Sequence, residues 1–274
     1  MTYQLLDSGN GRKFERFGEF RLVRPCPQAV WRPQLSEAEW AKADSFFQRD
    51  EKSGGWKGKR TLPASWEITV EGVRMQIAPT EFGHLGFFPE HAAFWKRIRE
   101  SRAKSVLNLF AYSGGATIAA AQSGAAVCHV DASKGMTEWA RDNAARNQLT
   151  KAPIRWIVDD VCKFLKREVK RGNRYEGILL DPPTFGRGAQ GEVFKIEEEM
   201  QTLLELCREL LAPEAKFFFL SCHTPGFTPI VLRHLWDQMG LSHGLNSKFE
   251  TGEMALTSPG ALSIPSGSYC YGAF

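Results

Sequence analysis

The sequence of 274 residues predicts an α/β fold, in which helices cover both faces of a parallel sheet, with a small β-rich domain at the N-terminus. From residue 104 onward, short apolar runs alternate with segments of helical spacing, which is the order of strands joined by crossover helices. Before residue 81, glycines interrupt runs of alternating apolar and polar residues, as in β-hairpins. We therefore divide the chain into a small α+β domain at 1–80 and a larger α/β domain at 81–274.

The first domain is predicted to contain two hairpins, one helix and a basic loop. The hairpins are Lys13–Val23 and Trp66–Pro79, and between them Ser36 caps a helix predicted over Glu37–Gln48. The polar stretch Arg49–Arg60 follows this helix. Cations interleaved with an aromatic residue suit a phosphate backbone and a stacked base, although a solvated loop has the same composition. The residues of this candidate RNA contact are Lys52, Trp56, Lys57, Lys59 and Arg60.

The larger domain has apolar runs of strand length with helical segments between them. The predicted strands are Val106–Phe110, Val127–Asp131, Ile154–Val158, Gly177–Leu180, Lys216–Ser221, Glu253–Leu256 and Ser268–Phe274. The predicted helices begin near Gly115, Lys134, Val161 and Phe194, and a further helix spans Pro229–Met239. A parallel sheet of this kind brings the carboxyl ends of its strands to one edge, where ligands bind.

The segment Lys104–Asp131 combines a strand, a glycine turn, a helix, a second strand and a final acid. In such a βαβ unit, the N–H groups of the turn and of the helix N-terminus lie beside the end of the first strand. A nucleotide fits there, with Asp131 close enough to bind a ribose hydroxyl. A glycine turn that only lets helix and strand pack closely gives the same pattern, so both interpretations stay open.

Acidic residues follow the second and third predicted strands of the larger domain. Asp131 ends the second strand, and Asp159 and Asp160 follow the third. Asp131 and Asp160 together suit a nucleoside, because one carboxylate can bind the ribose while the other accepts a hydrogen bond from the adenine amino group. Either acid alone is also typical of a helix N-cap.

The motif Asp181-Pro182-Pro183-Thr184-Phe185 directly follows a predicted buried strand. Its two prolines fix the backbone and remove two donors, so that carbonyl groups and the Asp181 carboxylate face a ligand while Phe185 stacks on a planar ring. Cys222 follows the next strand, where a thiolate nucleophile would need its pKa lowered by His223 or another cation. A buried structural cysteine is the alternative.

Composition narrows the class of protein. The sequence has no run of about 18 apolar residues and no secretion signal, which predicts a soluble protein of the cytoplasm. Its six cysteines are scattered without a C-x-x-C pair, which argues against a zinc site and against disulfides, so no metal is expected. A net charge of +4 with a pI near 8.7 is compatible with a nucleic-acid partner without requiring one.

Residues 81–274 resemble the class I S-adenosylmethionine-dependent methyltransferases, and within them the enzymes that methylate bases of large-subunit ribosomal RNA. The matching motifs are N-L-F-A-Y-S-G-G from Asn108, V-D-A-S from Val130, W-A-R-D-N from Trp139, D-D-V from Asp159 and D-P-P-T-F from Asp181. The resemblance implies a seven-stranded, Rossmann-like sheet whose last strand, here Ser268–Phe274, runs antiparallel.

The resemblance also implies S-adenosyl-L-methionine as the cofactor. The glycine turn then binds the methionine part, Asp131 binds the ribose and Asp160 the adenine, while Asp181-Pro182-Pro183 lines the pocket of the target base. The implied cofactor-binding residues are Asn108, Phe110, Tyr112, Ser113, Gly114, Gly115, Asp131, Ala132, Ser133, Asp160, Val161 and Asp181. The candidate catalytic residues are Asp181, Pro182, Pro183, Phe185 and Cys222.

Two branches of these rRNA enzymes match different parts of the sequence. The cytosine-C5 branch has a Ser-Cys pair after strand five, as in Ser221-Cys222, and its thiolate adds to C6 of the base. The guanine-N7 branch has D-P-P-T-F and needs no covalent step, since N7 carries a lone pair. Neither a PUA nor a THUMP module is visible in residues 1–80. The acceptor therefore stays open between RNA, a small molecule and a protein; a nicotinamide-dependent oxidoreductase is disfavoured because the turn lacks G-x-G-x-x-G.

Overall fold

The structure, a computed structural model, describes residues 2–49, 54–187, 191, 193–240 and 248–274. The chain forms two compact units, residues 1–92 with 255–266 and residues 93–254 with 267–274. Among the helices of these described ranges, none is long and apolar enough to cross a membrane.

The first unit is built on a five-stranded sheet whose strands are adjacent in chain order. They are β1 (Tyr3–Gly9), β2 (Arg12–Phe17), β3 (Phe20–Pro25), β4 (Ser45–Arg49) and β5 (Gly54–Gly58), with a short helix, α1 (Glu37–Trp40), between β3 and β4. A separate hairpin consists of β6 (Trp66–Val70) and β7 (Val73–Ile77). Both predicted hairpins are confirmed, since β2 pairs with β3 and β6 with β7 in antiparallel register.

The helix predicted over 37–48 is wrong after its first turn, because its second half forms β4. Ser36 does cap α1 as predicted, through its side-chain oxygen. Ser45 and Phe47 are buried whereas Phe46 is 41% exposed, which is the alternation of a strand. Pairing with β3 on one side and β5 on the other stabilises this strand and overrides the local helical pattern.

The loop predicted over 49–60 is also partly wrong, since β5 lies at its centre and pairs with β4. Trp56 is held within the unit: its indole Nε1 donates to the Thr80 carbonyl at 3.1 Å, and its ring lies 5.5 Å from that of Phe47, centroid to centroid. Lys52 lies outside the described residues.

The second unit contains a seven-stranded sheet and a short two-stranded hairpin. The strands are β8 (Ser105–Leu109), β9 (Ala126–Asp131), β10 (Ile154–Val158), β11 (Gly177–Leu180), the hairpin β12 (Phe185–Arg187) and β13 (Val193–Lys195), β14 (Phe217–Cys222), β15 (Lys248–Leu256) and β16 (Ile264–Ala273). The helices are α2 (Ala92–Glu100), α3 (Gly115–Gln122), α4 (Lys134–Arg146), α5 (Val161–Lys170), α6 (Ile196–Leu210) and α7 (Pro229–Gln238).

The strand order in the large sheet is β10-β9-β8-β11-β14-β16-β15. The first five strands in this order are parallel, and β16 runs antiparallel to β14, so the predicted α/β fold with an antiparallel last strand is confirmed. Every residue of β11 and β14 is buried, as expected of central strands covered on both faces. From β8 the chain continues to β9 and β10 on one side of the sheet, and then to β11 and β14 on the other side. The strand order therefore reverses between β8 and β11, which is the expected ligand position in such a sheet.

A buried carboxylate fastens α5 to the sheet and to the loop that precedes β11. The side chain of Glu168, on α5, is fully buried, and burial alone would raise its pKa; hydrogen bonds to the carboxylate outweigh this effect and lower the pKa to about 2. The donors are the Tyr175 hydroxyl at 2.7 Å, the Arg155 guanidinium at 3.1 and 3.2 Å, the Asn173 amide at 2.8 Å and the Arg171 guanidinium at 2.8 Å.

We expect Glu168→Gln to lower the free energy of unfolding at neutral pH by about 2 kcal/mol, because charge-assisted hydrogen bonds become neutral ones. The pKa of Glu168 is lower in the folded than in the unfolded chain, so its contribution is complete above the unfolded value of 4.5 and is lost as the pH falls towards 2. Urea unfolding at several pH values measures this difference. The exposed Glu205→Gln on α6 is the control, and a wild-type-to-variant difference that does not shrink in acid would contradict the assignment.

Candidate active site

The register of the sheet places the predicted site residues at one level. Leu109 at the end of β8 pairs with Leu180 of β11, which pairs with Leu220 of β14. On the other side, Leu109 pairs with Val130 of β9. The residues that follow these four positions are Phe110, Asp181, Ser221 and Asp131. The carboxyl edge of the sheet therefore collects the start of the turn and two of the predicted acids, Asp131 and Asp181.

The turn after β8 is held in an unusual backbone conformation. Phe110 has a φ of 54° and Tyr112 one of 49°, and Gly114 follows at 87°. Left-handed conformations of residues other than glycine cost free energy and concentrate at functional sites. Helix α3 begins at Gly115, and within the described part of the chain no side chain caps its N-terminus.

Two glycines let this turn approach the neighbouring helices. A Cβ on Gly114 would lie 2.9 Å from the Cβ of Ala140 on α4, and a Cβ on Gly115 would lie 2.4 Å from the ring of Trp95 on α2. Close packing, the alternative interpretation of the glycine turn, therefore accounts for both glycines. It does not account for the left-handed Phe110 and Tyr112.

Asp131 connects the turn to the end of β9. Its Oδ2 accepts from the Tyr112 N–H at 2.9 Å, and its Oδ1 accepts from the Ser133 N–H at 2.8 Å. Burial raises the pKa of Asp131, while these two N–H groups act in the opposite direction. The N-cap of α4 is Ser133, whose hydroxyl accepts from Met136 N–H, so Asp131 is not the helix cap that the sequence left open. Ala132 lies between them.

Asp160, by contrast, is a helix N-cap. Its Oδ1 accepts from the Lys163 N–H at 2.8 Å at the start of α5, and Val161 is the first residue of that helix and is buried. Neighbouring Asp159 forms an ion pair with Arg167. The capping alternative thus describes Asp160.

Asn108 lies beneath the turn in a buried polar network that the sequence did not reveal. It is 5% exposed, and its amide donates to Thr117 Oγ1 at 2.9 Å, which in turn lies 2.9 Å from His129 Nδ1. Burial, assisted by Arg141, lowers the pKa of His129 to about 3, so this histidine is neutral. The network ties β8, α3 and β9 together directly below the turn.

A second polar cluster lies at the ends of β11 and β14. Asp181 Oδ1 accepts from the Ser221 hydroxyl at 2.7 Å and lies 3.4 Å from His223 Nε2. The hydroxyls of Thr184 and Thr224 are 2.8 Å apart, which joins the loops after the two strands. These contacts connect residues about 40 positions apart, and no motif in the sequence indicated them.

The remaining predicted residues of this edge differ in exposure. Pro182 is buried and Pro183 exposed, and Phe185, the first residue of β12, is 51% exposed. Cys222 is 1% exposed, and burial raises the pKa of its thiol, with hydrogen bonds to Thr224 opposing this effect only in part.

With this geometry in hand, comparison with known proteins defines the class. The family of S-adenosylmethionine-dependent methyltransferases matches residues 44–234. This match covers more than half of the chain, and the chain therefore belongs to the S-adenosylmethionine-dependent methyltransferases, with S-adenosylmethionine as cofactor.

Individual relatives of the chain are also methyltransferases by name. The ribosomal RNA large subunit methyltransferase K/L of Hahella chejuensis is 35% identical over 182 residues, which are 64% of this chain and 24% of that protein. The enzyme of the same name from Chromohalobacter salexigens is 32% identical over 189 residues, 68% of this chain and 23% of its own. The matched segment thus spans about a quarter of these relatives.

Solved structures extend the match over the whole chain. The SAM-dependent methyltransferase from Agrobacterium tumefaciens is 35% identical, with a TM-score of 0.95, over 100% of this chain and 90% of its own. SMU.776, solved in complex with SAH, is 19% identical with a TM-score of 0.80 over 100% of this chain and 75% of its own, and shares the fold.

We expect Gly114→Ala to destabilise the protein more than Gly124→Ala does. Both glycines are left-handed, at 87° and 88°, but nothing lies within 4 Å of a Cβ at Gly124. The control therefore measures the backbone cost alone, about 1 kcal/mol. Contact with Ala140 should add about 1–2 kcal/mol at Gly114. Equal changes in the free energy of urea unfolding would show that the turn does not depend on this contact.

Proposed function

We propose that this methyltransferase transfers the methyl group of S-adenosylmethionine to a base of RNA, in the cytoplasm. The observation that carries the proposal is the exposed Phe185, which follows an acid and two prolines at the end of the central strand β11. An exposed aromatic ring that follows a carboxylate closely in the sequence suits a planar base with hydrogen-bonding groups at its edge. The relatives are named ribosomal RNA large subunit methyltransferase K/L. These names support RNA as the class of substrate and, within it, ribosomal RNA.

The cofactor is assigned to the carboxyl edge of β8, β9 and β10. Asp131 binds the ribose, since a carboxylate whose oxygens already accept two N–H groups is held in place for a hydroxyl donor. Asp160 accepts from the adenine amino group, and the left-handed turn contacts the methionine part. The other residues of this assignment are Phe110, Tyr112, Ser113, Gly114, Gly115, Ala132, Ser133 and Val161, with Asn108 supporting the turn from below.

Catalysis in this proposal consists mainly of orientation. The cofactor supplies the electrophilic methyl group, and Asp181, Pro182, Pro183 and Phe185 hold the base so that its acceptor atom lies in line with that methyl group. Holding two reactants in one geometry removes much of the entropy cost of their encounter. Asp181 binds the edge of the base and is not assigned as a strong general base.

The state of Cys222 favours a route without a covalent step. A nucleophilic cysteine is a thiolate, which requires a lowered pKa and access to the base. Cys222 is 1% exposed and burial raises its pKa. Of the two branches, the guanine-N7 type of reaction, in which a lone pair attacks the methyl group directly, is therefore the one we propose.

The first unit is assigned to RNA contact. Lys57 lies on β5, and Lys59 and Arg60 follow it; all three are exposed. Arg60 forms an ion pair with Glu19 at 3.1 Å. Its guanidinium also lies over the ring of Phe20, 4.4 Å from the ring centroid. Trp56 contributes by holding β5 in place.

We expect Asp131→Ala to weaken S-adenosylmethionine binding by about 10-fold or more, because charge-assisted hydrogen bonds are lost. Titration calorimetry measures the affinity, and circular dichroism checks that the variant is folded. Asp142→Ala, an exposed acid on α4 of the same unit, is the matched control. A folded Asp131→Ala protein with unchanged affinity would remove Asp131 from the ribose site.

Incubation of total RNA from a deletion strain with the enzyme and methyl-labelled S-adenosylmethionine tests the substrate. We expect label in large-subunit RNA and 7-methylguanosine on nucleoside mass spectrometry. Cys222→Ser should retain activity within about 3-fold, since a non-covalent transfer makes no use of the thiol. Complete loss in a folded Cys222→Ser protein would restore the cytosine-C5 route, and label in no RNA would redirect the proposal to a small molecule or a protein.

A further inference from the structure

The side chains of Ser221 and its neighbour Cys222 lie on opposite faces of the sheet. Consecutive residues of a strand point to opposite faces of the sheet. Cys222 belongs to the apolar core beneath one face, together with Leu220. Ser221 points the other way, is fully buried, and directs its hydroxyl to Asp181 Oδ1 at 2.7 Å, with the Leu180 carbonyl at 3.5 Å.

We propose that the Ser221-Cys222 pair acts in methyl transfer through its serine, as a positioning residue for Asp181. In this proposal the Ser221 hydroxyl, together with His223, fixes the carboxylate in the orientation in which it accepts a hydrogen bond from an N–H group at the edge of the acceptor base. The inference rests on the proposed function, because it assigns Asp181 to the acceptor.

The chemistry of the groups supports this direction of hydrogen bonding. An ionised carboxylate only accepts, whereas a serine hydroxyl can donate one hydrogen. The rotation of a carboxylate about its last bond is otherwise loosely defined. A short hydrogen bond from a fully buried hydroxyl on the neighbouring strand therefore defines which way the second oxygen of Asp181 points.

The loops around Asp181 are fastened to the same strand. The hydroxyl pair of Thr184 and Thr224, 2.8 Å apart, joins the loop after β11 to the loop after β14. At Gly267 the backbone of β16 comes close to these loops: its φ is +108°, and a Cβ there would lie 2.7 Å from the Cys222 carbonyl and 2.9 Å from His223 Nδ1. His223, which is exposed, lies between Gly267 and Asp181, with Nε2 at 3.4 Å from Oδ1.

This arrangement selects a class of acceptor. A carboxylate held as an acceptor pairs with amino or imino groups, such as those on the Watson–Crick edge of guanine, and leaves a base edge that carries only acceptors unpaired. The positioned Asp181 therefore favours a base that presents N–H donors on the edge away from the atom that is methylated.

The test uses the full-length enzyme, methyl-labelled S-adenosylmethionine and total RNA from a deletion strain. We expect Ser221→Ala to lower kcat/KM for RNA by about 10-fold, with a change in S-adenosylmethionine affinity below about 2-fold. Ser266→Ala is the matched control, because this serine of β16 is also buried but its hydroxyl bonds only to the backbone carbonyl of Ile264 among the contacts of the described chain.

A double-mutant cycle separates positioning from a merely structural role. If Ser221 acts through Asp181, Ser221→Ala should have little further effect on kcat/KM in an Asp181→Ala background. Multiplicative losses in the double variant, or a Ser221→Ala enzyme as active as Ser266→Ala, would overturn the inference while leaving RNA methylation established. Absence of label with the wild-type enzyme would instead overturn the proposed function.

The contact itself can be tested without any RNA. The four proteins of the cycle are the wild type, Ser221→Ala, Asp181→Ala and the double variant. Their unfolding in urea should show a coupling between Ser221 and Asp181 in the free energy of unfolding. Additive destabilisation would mean that the hydroxyl does not hold the carboxylate, and would overturn the inference whatever the substrate is.

Discussion

The two hydrogen bonds that the Asp131 carboxylate accepts join the parts of the second unit on which the site depends. One bond reaches the Tyr112 N–H in the turn after β8, and the other reaches the Ser133 N–H at the start of α4. A left-handed residue such as Tyr112 is unfavourable by itself and persists only where its surroundings fix it. Asp131 fixes Tyr112 in this way through its hydrogen bond to the backbone N–H. One carboxylate therefore both holds the turn and places a negative charge beside it.

The buried network of Asn108, Thr117 and His129 supports the same turn from below. Buried neutral polar groups cost free energy unless they are paired, so the bonds that join Asn108, Thr117 and His129 Nδ1 favour one arrangement of β8, α3 and β9. His129 Nε2 is buried without a partner among the described residues. The turn is therefore fixed on two sides, by Asp131 above and by the network beneath.

Much of the second unit could be predicted from the sequence because buried parallel strands are continuous apolar runs. Gly177–Leu180 is such a run: all four residues are buried, and its predicted bounds agree with the structure. The predicted bounds of Ile154–Val158, an edge strand with no fully buried residue, also agree, and the acids were found by looking at the residues that end these strands. The first unit was harder, since residues 45–49 carry a pattern that fits a helix or a strand. Pairing with β3 and β5 decides between them, and this information lies in distant residues.

The same reason explains which parts of the site could not be predicted. The turn and the acids are local signals, whereas the hydrogen bonds from Ser221 to Asp181 and between Thr184 and Thr224 depend on the adjacency of β11 and β14. The turn and the acids can thus be recognised from neighbouring residues in the sequence, whereas the cluster around Asp181 consists of side-chain contacts between strands that are distant in the chain. In the proposed function this cluster lies on the acceptor side, so we expect a change of Ser221 or Thr184 to affect the acceptor and to leave the turn after β8 unchanged.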